Sequence, residues 1–301
     1  MAEWLHPGLR FLHYALLLGL FGLTAFRALG WQKLALAPEA GRGMVIIASA
    51  LLAPIFSATL MLVSIAEMMG QPLTMLEWAS FEAMVLSTDM GWAFIARIAM
   101  LSLAALAIAT KVQRGLTIAA LFYGIALLTL AWSGHAAATE GALGLLHRMN
   151  DGLHLLAAGL WIGAIGWFLH LVISAHRNPN VIAPEPLLDA IHRFAPLGIA
   201  LVTVVAATGL INSHLIFGLG KSVQVLKTEY GGLLAVKTIL VVLMLLFAAR
   251  NALIGRQSAR PGINPTAATL VALRASLAAE LLLAAGVLAI VAFVGLASPM
   301  G

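Results

Sequence analysis

Eight apolar runs, each near the length of about 20 residues that a helix needs to cross a bilayer, follow one another along this 301-residue chain. They lie at 9–29, 44–69, 91–110, 116–133, 152–175, 194–217, 232–251 and 273–296. The breaks between them are short; the longest, at 70–90, 176–193 and 255–272, each contain Pro or Gly, which punctuate helices. A water-soluble fold cannot absorb this pattern. Only 10% of the residues are charged and 62% are apolar, against about 25% charged in ordinary soluble domains. In lipid each backbone amide must be satisfied within its own segment, so the runs are expected to be helices. The expected fold is all-α: a polytopic bundle of eight transmembrane helices forming one membrane domain over 1–301, with no appended soluble domain. No small-x-small cleavage pattern follows the first run, which is expected to be a retained helix rather than a signal peptide.

Lys and Arg set the expected orientation, because they concentrate in cytoplasmic loops. With the N-terminus outside, the inner loops hold Arg27, Lys33, Arg42, Lys111, Arg114, Arg177, Arg193, Arg250, Arg256, Arg260 and Arg274. The outer side holds only Arg10, Arg148, Lys221 and Lys227. Both termini are therefore expected in the periplasm or its equivalent. The net charge of +5 is accounted for by this topology, and nucleic-acid binding is not implied. The absence of cysteine excludes disulfides, thiolate metal sites and iron–sulfur clusters.

This orientation sorts the polar side chains. His6, His13, His135, His147, His154 and His214 fall at outer helix ends or in outer loops, as do Glu67, Glu77, Glu82, Asp89, Glu140 and Asp151. Met68, Met69, Met75, Met84 and Met90 join them, with Met61 about two turns deeper. Imidazole with thioether suits copper, and thioether favours Cu(I); methionine is also a common flexible filler of helix interfaces. The densest constellation is HRMNDGLHLLAAGLWIGAIGW. His147, Asp151 and His154 are spaced i, i+4, i+7 on one helical face, and Trp161 continues it two turns on. A carboxylate one turn from an imidazole can fix the tautomer presented to a metal. His154 falls inside the apolar span, where an ionisable group is a functional candidate, or else a helix-packing hydrogen bond. His13 and His135 fall at the same depth, so three imidazoles from three helices are candidates to converge; His170 belongs to the opposite leaflet.

Arg97, Lys237, Glu280 and Asn212 are further polar groups inside spans. Arg97 is positioned by depth to pair with Asp89 or Glu67. Lys237 lies near the outer end of its helix and Glu280 about two turns from the inner end of its own, so these two are not expected to pair. Glu280 is a candidate for cation exit or proton coupling. Small residues in AAGLWIGAIG and ALVTVVAATGLINS permit close helix approach.

The segments LRFLHYALLLGLFG, SGHAAA, DGLHLLAAGLWIGAIG, HRFAPLGIALVTVVAATGLINS, YGGLLAVKTILVVLMLLFAARN and LRASLAAELLLAAGVLAIVAFVGLASP, in this order, resemble the CopD/PcoD family of copper-resistance membrane proteins. The resemblance covers nearly the whole chain. It implies an eight-helix, multi-pass protein of the bacterial inner membrane that acts in copper homeostasis, moving copper from periplasm to cytoplasm beside a periplasmic CopC-like copper-binding protein. A CopC-like copper donor is accordingly expected to be a separate chain. By position, His13, His135 and His154 match the family's recurring histidines, with Asp151 beside them; Ala164 stands where the family often has a second Gly.

The leading expectation is thus a copper permease rather than an enzyme, handling Cu(I) or Cu(II) with His13, His135, His147, Asp151, His154, Met61 and Glu67 as candidate ligands. No nucleotide-binding motif is present to drive it. The alternative is a membrane oxidoreductase of the quinol or metal reductase type, in which histidines from facing helices would ligate haem b. A third reading is a non-transporting factor that delivers copper to another protein.

Overall fold

The structure, a computed structural model, describes residues 4–28, 44–110, 114–258 and 267–296, with every side chain among them except those of 44–46 and His135. The described residues are helical, with no strand among them, and eight helices are long and apolar enough to cross a membrane. These are α1 (Leu5–Ala28), α2 (Met44–Met68), α4 (Asp89–Ala109), α5 (Gly115–Leu128, prolonged by a 3₁₀ turn Thr129–Trp132), α6 (Gly141–Arg177), α7 (Pro184–Phe217), α9 (Glu229–Ser258) and α10 (Ala267–Val294). Two short helices, α3 (Trp78–Ser87) and α8 (Ser222–Val225), sit in connections. Trp4, just before the start of α1, meets Phe293 near the end of α10, ring centroids 5.4 Å apart, so these two helix ends share one face of the bundle, here called the terminal face. Of the cations used above to orient the chain, Lys33, Arg42, Lys111 and Arg260 lie outside the described residues.

Three helices are longer than their hydropathy suggests. The apolar run 152–175 is only the middle of α6, which begins at Gly141, and α7 and α9 likewise extend past 194–217 and 232–251. Hydropathy marks where lipid is the solvent, whereas helical hydrogen bonding continues into the interface until a residue stops it. For α7 the start is set by Pro184 in the first turn, where the missing N–H costs nothing. The connection 70–90 contains α3, and Trp4, Trp78 and Trp92 are exposed near the terminal face, as tryptophans are at a membrane–water boundary.

The spine of the bundle is the pair α1 and α6. α1 also packs on α2, α5 and α10, and α6 on α5, α7 and α10. One apolar cluster joins α1, α2, α4 and α5, and another joins α6, α7, α9 and α10 with Phe26 of α1. Glycine makes the α1–α6 crossing possible. A Cβ on Gly22 would lie 2.0 Å from the Gly159 carbonyl oxygen, and one on Gly163 would lie 2.1 Å from the Gly22 carbonyl carbon. The small residues of AAGLWIGAIG therefore act as expected, as a backbone-to-backbone seam.

Arg97, fully buried on α4, does not pair with Asp89 or Glu67. Its Nε donates to Thr129 Oγ1 (2.8 Å), its Nη2 donates to the Thr129 carbonyl (2.9 Å) and to Ser133 Oγ (3.3 Å), and the guanidinium lies over the Phe94 ring. The reason is local. Where α5 tightens into a 3₁₀ turn, the backbone offers an under-used carbonyl at Arg97's depth, closer than either carboxylate.

Candidate functional site

Between α1, α6, α7, α9 and α10, on the terminal-face side, lies a cavity of about 240 Å³. Its α6 wall carries His147, Asp151, His154 and Trp161. The i, i+4, i+7 spacing thus does place those groups on one face, and that face looks into a cavity. α1 contributes Arg10 and Tyr14; α7 contributes Gly209 and Asn212; α9 contributes Lys237 and Met244; Ala284 of α10 lies deeper.

His154 is held to α7 through Thr208, with the Val205 backbone also acting on the ring. Its Nδ1 lies 2.9 Å from Thr208 Oγ1 on α7, while that hydroxyl donates its own hydrogen to the Val204 carbonyl at 2.6 Å. With its hydrogen engaged, Thr208 Oγ1 can only accept, so Nδ1 of His154 carries the proton and Nε2 is left as an unprotonated lone pair. Such a partner orients a histidine for a metal. Gly209 backs the imidazole: a Cβ there would stand 3.5 Å from His154 Cε1.

Asp151 is anchored differently. Asn150 Nδ2 donates to Asn212 Oδ1 (2.7 Å) and to the Thr208 carbonyl (2.9 Å), and Asn212 Nδ2 donates to Asp151 Oδ1 (3.0 Å). Lys237 acts on the Asp151 carboxylate from α9, so the cavity's acid and base offset each other. Arg10, also at the wall, stacks on Tyr14 and reaches Gly295 just beyond the end of α10, where a cation suits the helix's negative end. His147, one turn nearer the terminal face than Asp151, is buried with Nδ1 2.9 Å from Thr139 Oγ1.

His13 does not join this cavity. Residues Arg10, Tyr14 and Leu18 give α1 its cavity face; His13 is fully buried, stands in the field of Arg97 on α4, and both its ring nitrogens lack a hydrogen-bond partner. Depth placed it level with His154, but the rotation of α1 turns it away. Met61 and Glu67 belong to α2, also away from the cavity. Glu67 Oε2 meets His6 Nδ1, and Ser64 Oγ lies 3.3 Å from His6 Nε2. Met61 is half-buried about 9 Å below Glu67 along α2, taking 1.5 Å per residue. The side chain of His135 lies outside the described residues, although its neighbours Gly134 and Ala136 line the cavity.

Among the described residues, no three His, Cys, Asp or Glu are gathered closely enough to cage a metal ion. His147 and His154 are separated by about 10.5 Å of helix rise. The wall is a ladder of single ligands and not a chelate. Sequence reading missed Thr208 and Asn150; for Thr208 the available signal was its place four residues before Asn212 in ATGLINS, on the same face of α7.

Two family profiles match the chain: Copper resistance protein D-like, N-terminal domain, over residues 1–145, and Copper resistance protein D, over residues 188–294. Copper resistance protein D of Pseudomonas syringae pv. tomato is 31% identical over 99% of this chain and 98% of its own. Inner membrane protein YebZ of Escherichia coli K12 is 30% identical over 81% of each chain. Copper transport protein CutJ of Bacillus subtilis 168 is 35% identical over 48% of this chain and 25% of its own. No solved structure matches.

Proposed function

Because the chain belongs to the copper resistance protein D family, we propose that it is a multi-pass inner-membrane copper permease, one membrane domain that takes copper into the α6-walled cavity on its periplasmic side and passes it toward the cytoplasm. The observation that carries this reading is His154, whose Nδ1 is engaged by Thr208 so that Nε2 is the nitrogen left for a ligand, in a cavity wall that repeats ligand groups along its depth. A permeation site must bind well enough to admit an ion and weakly enough to release it, and single ligands at successive depths meet both demands better than a closed cage. Cu(I) is the favoured species, because neutral imidazole and the nearby thioether of Met244 suit it and low coordination numbers suffice. His147 and Asp151 act above His154, and His135, whose neighbours Gly134 and Ala136 line the cavity, serves as an approach ligand; His13, Met61 and Glu67 lie off this path. The excess of Lys and Arg opposite the terminal face supports periplasmic termini, and a CopC-like periplasmic protein would present copper there.

Haem is less well supported by the geometry. The two described histidines lining the cavity come from one helix, two turns apart, whereas axial ligation of one iron needs imidazoles facing each other across the ring. Absorption spectra and metal analysis of the purified protein, wild type and His154→Ala, test the reading. Bound copper that falls on substitution supports it; a strong Soret band would overturn it in favour of a haem-dependent redox role.

A further inference from the structure

Directly beneath the cavity, the bundle holds a second polar group that the ladder does not use. Glu280 lies on α10 one turn below the cavity-lining Ala284 and is 1% exposed. Its Oε2 accepts a hydrogen bond from Asn251 Nδ2 of α9 at 2.9 Å. The other two atoms of this pair, Glu280 Oε1 and Asn251 Oδ1, are buried without a donor, and Ser276 Oγ, one turn further along α10, is buried without a partner. The Trp161 indole, which lines the cavity above, acts on the same carboxyl as a second, weaker donor that does not come within hydrogen-bond range of Oε1.

This pattern has a simple chemical completion. A carboxyl and a primary amide can join through two hydrogen bonds, N–H to one carboxyl oxygen and O–H from the other to the amide oxygen. Here the first is in place, and Glu280 Oε1 and Asn251 Oδ1 are the two oxygens left without a partner, the positions that a proton on Oε1 would serve. Left ionised, the site would bury a carboxylate and a bare amide oxygen in the apolar middle of a membrane, which is strongly unfavourable. Among the described residues no salt bridge to it is formed. On the helices packed against α10, Lys237 of α9 lies at the cavity level, Arg250 is exposed, Arg27 of α1 stacks on Trp167, and His170 of α6 stacks on the same ring. Asp151 and His154 belong to the cavity above. Arg274, on α10 itself, is exposed.

We propose that Glu280 is a proton-carrying site: a carboxylic acid paired with the Asn251 amide just below the cavity floor, whose proton is released when a cation comes down from the cavity. The step balances as O–H cleavage at Oε1, the proton leaving to water and the carboxylate negative charge then offset by the arriving ion. The acid–amide pair stands on the geometry of α9 and α10 alone; its coupling to copper rests on the permease reading.

Two measurements on the full chain in lipid nanodiscs test it. Infrared spectra at neutral pH are expected to contain a protonated-carboxyl C=O band that shifts in D₂O, disappears in Glu280→Gln and moves in Asn251→Leu, where the carboxyl remains but its amide partner is gone. A carboxylate band in its place, or one that responds to sodium chloride, would overturn the assignment. Adding Cu(I) to the wild type is expected to release about one proton per ion, read by a pH dye, and none in Glu280→Gln, which still binds copper in the cavity. Equal release from both proteins would refute the coupling. His154→Ala should lose copper binding and keep the infrared band, so failure of the permease reading and failure of the proton site are told apart.

Discussion

Thr208→Val is the substitution that most sharply tests how the cavity presents its imidazole. Valine has nearly the shape of threonine, and Thr208 Oγ1 makes three contacts: it accepts from His154 Nδ1 and donates to the Val204 and Val205 carbonyls of its own helix. The carbonyl contacts are back-bonds that a helix does not need, so the fold is expected to tolerate their loss. What remains is the His154 bond. Without an acceptor at Oγ1 the ring keeps only the Val205 backbone as a partner and is freer to rotate and to place its proton on either nitrogen. Loss of an outer-shell partner of this kind typically lowers metal affinity about 10–100-fold, equivalent to about 1.4–2.8 kcal/mol. Competition titration of Cu(I) against a coloured chelator reads this directly, with the melting temperature in detergent as the folding control. The expected result is an affinity loss in that range for Thr208→Val, near wild-type affinity for Thr208→Ser, and a larger loss for His154→Ala. Wild-type affinity in Thr208→Val would show that the hydroxyl does not set the imidazole, and the argument for a free Nε2 would fall with it.

The remaining predictions concern the frame that holds the cavity. Gly163→Ala puts a Cβ 2.1–2.5 Å from the backbone of Gly22, so α1 and α6 must separate; a cost at the upper end of the usual overpacking range of about 1–3 kcal/mol should appear as a lower melting temperature. Gly166→Ala, where the nearest atom is Leu23 Cδ2 at 3.9 Å, should be close to neutral, and equal effects at both positions would rule out the glycine seam. Arg97→Lys keeps the charge but cannot engage both Thr129 oxygens with one planar fork; a loss of about 1.5–3 kcal/mol is expected, and an unchanged melting temperature would show that the fork does not hold the 3₁₀ turn at Thr129–Trp132.

What could be read from the sequence, and what could not, divides along two coordinates of a membrane helix. Depth is legible, because rise per residue is constant and the apolar run marks the bilayer. The eight spans were recovered on that basis, as was the clustering of His, Met and carboxylate groups toward the terminal face. The common wall of His147, Asp151, His154 and Trp161 was legible for a related reason: residues on one helix keep their angular relation whatever the helix packs against. Rotation of one helix relative to another is set by tertiary contacts and leaves no local trace. His13 and His154 agree in depth, yet the seat of Gly22 against Gly159 and Gly163 turns Arg10 and Tyr14 to the cavity and His13 toward α4. The same limit hid Thr208, whose part depends on how α6 and α7 cross, and it led Arg97 to be assigned to carboxylates at its depth when a backbone carbonyl was nearer in angle.

Glu280 and Asn251 combine both coordinates. Their separation of 29 residues across the α9–α10 connection puts them at comparable depth, but only the observed rotations bring amide and carboxyl together. Taken in order of depth, the groups on and below the cavity are His147, then Asp151 opposed by Lys237, then His154, and beneath the floor formed with Trp161 the Glu280–Asn251 pair. Each is balanced by hydrogen bonds, by an opposite charge or, on the proposal made above, by a proton. On the permease reading, a cation descending this series meets neutral donors and compensated charge until Glu280, where its arrival would displace a proton and leave an anion in its place. That asymmetry favours net movement coupled to protons over a passive pore.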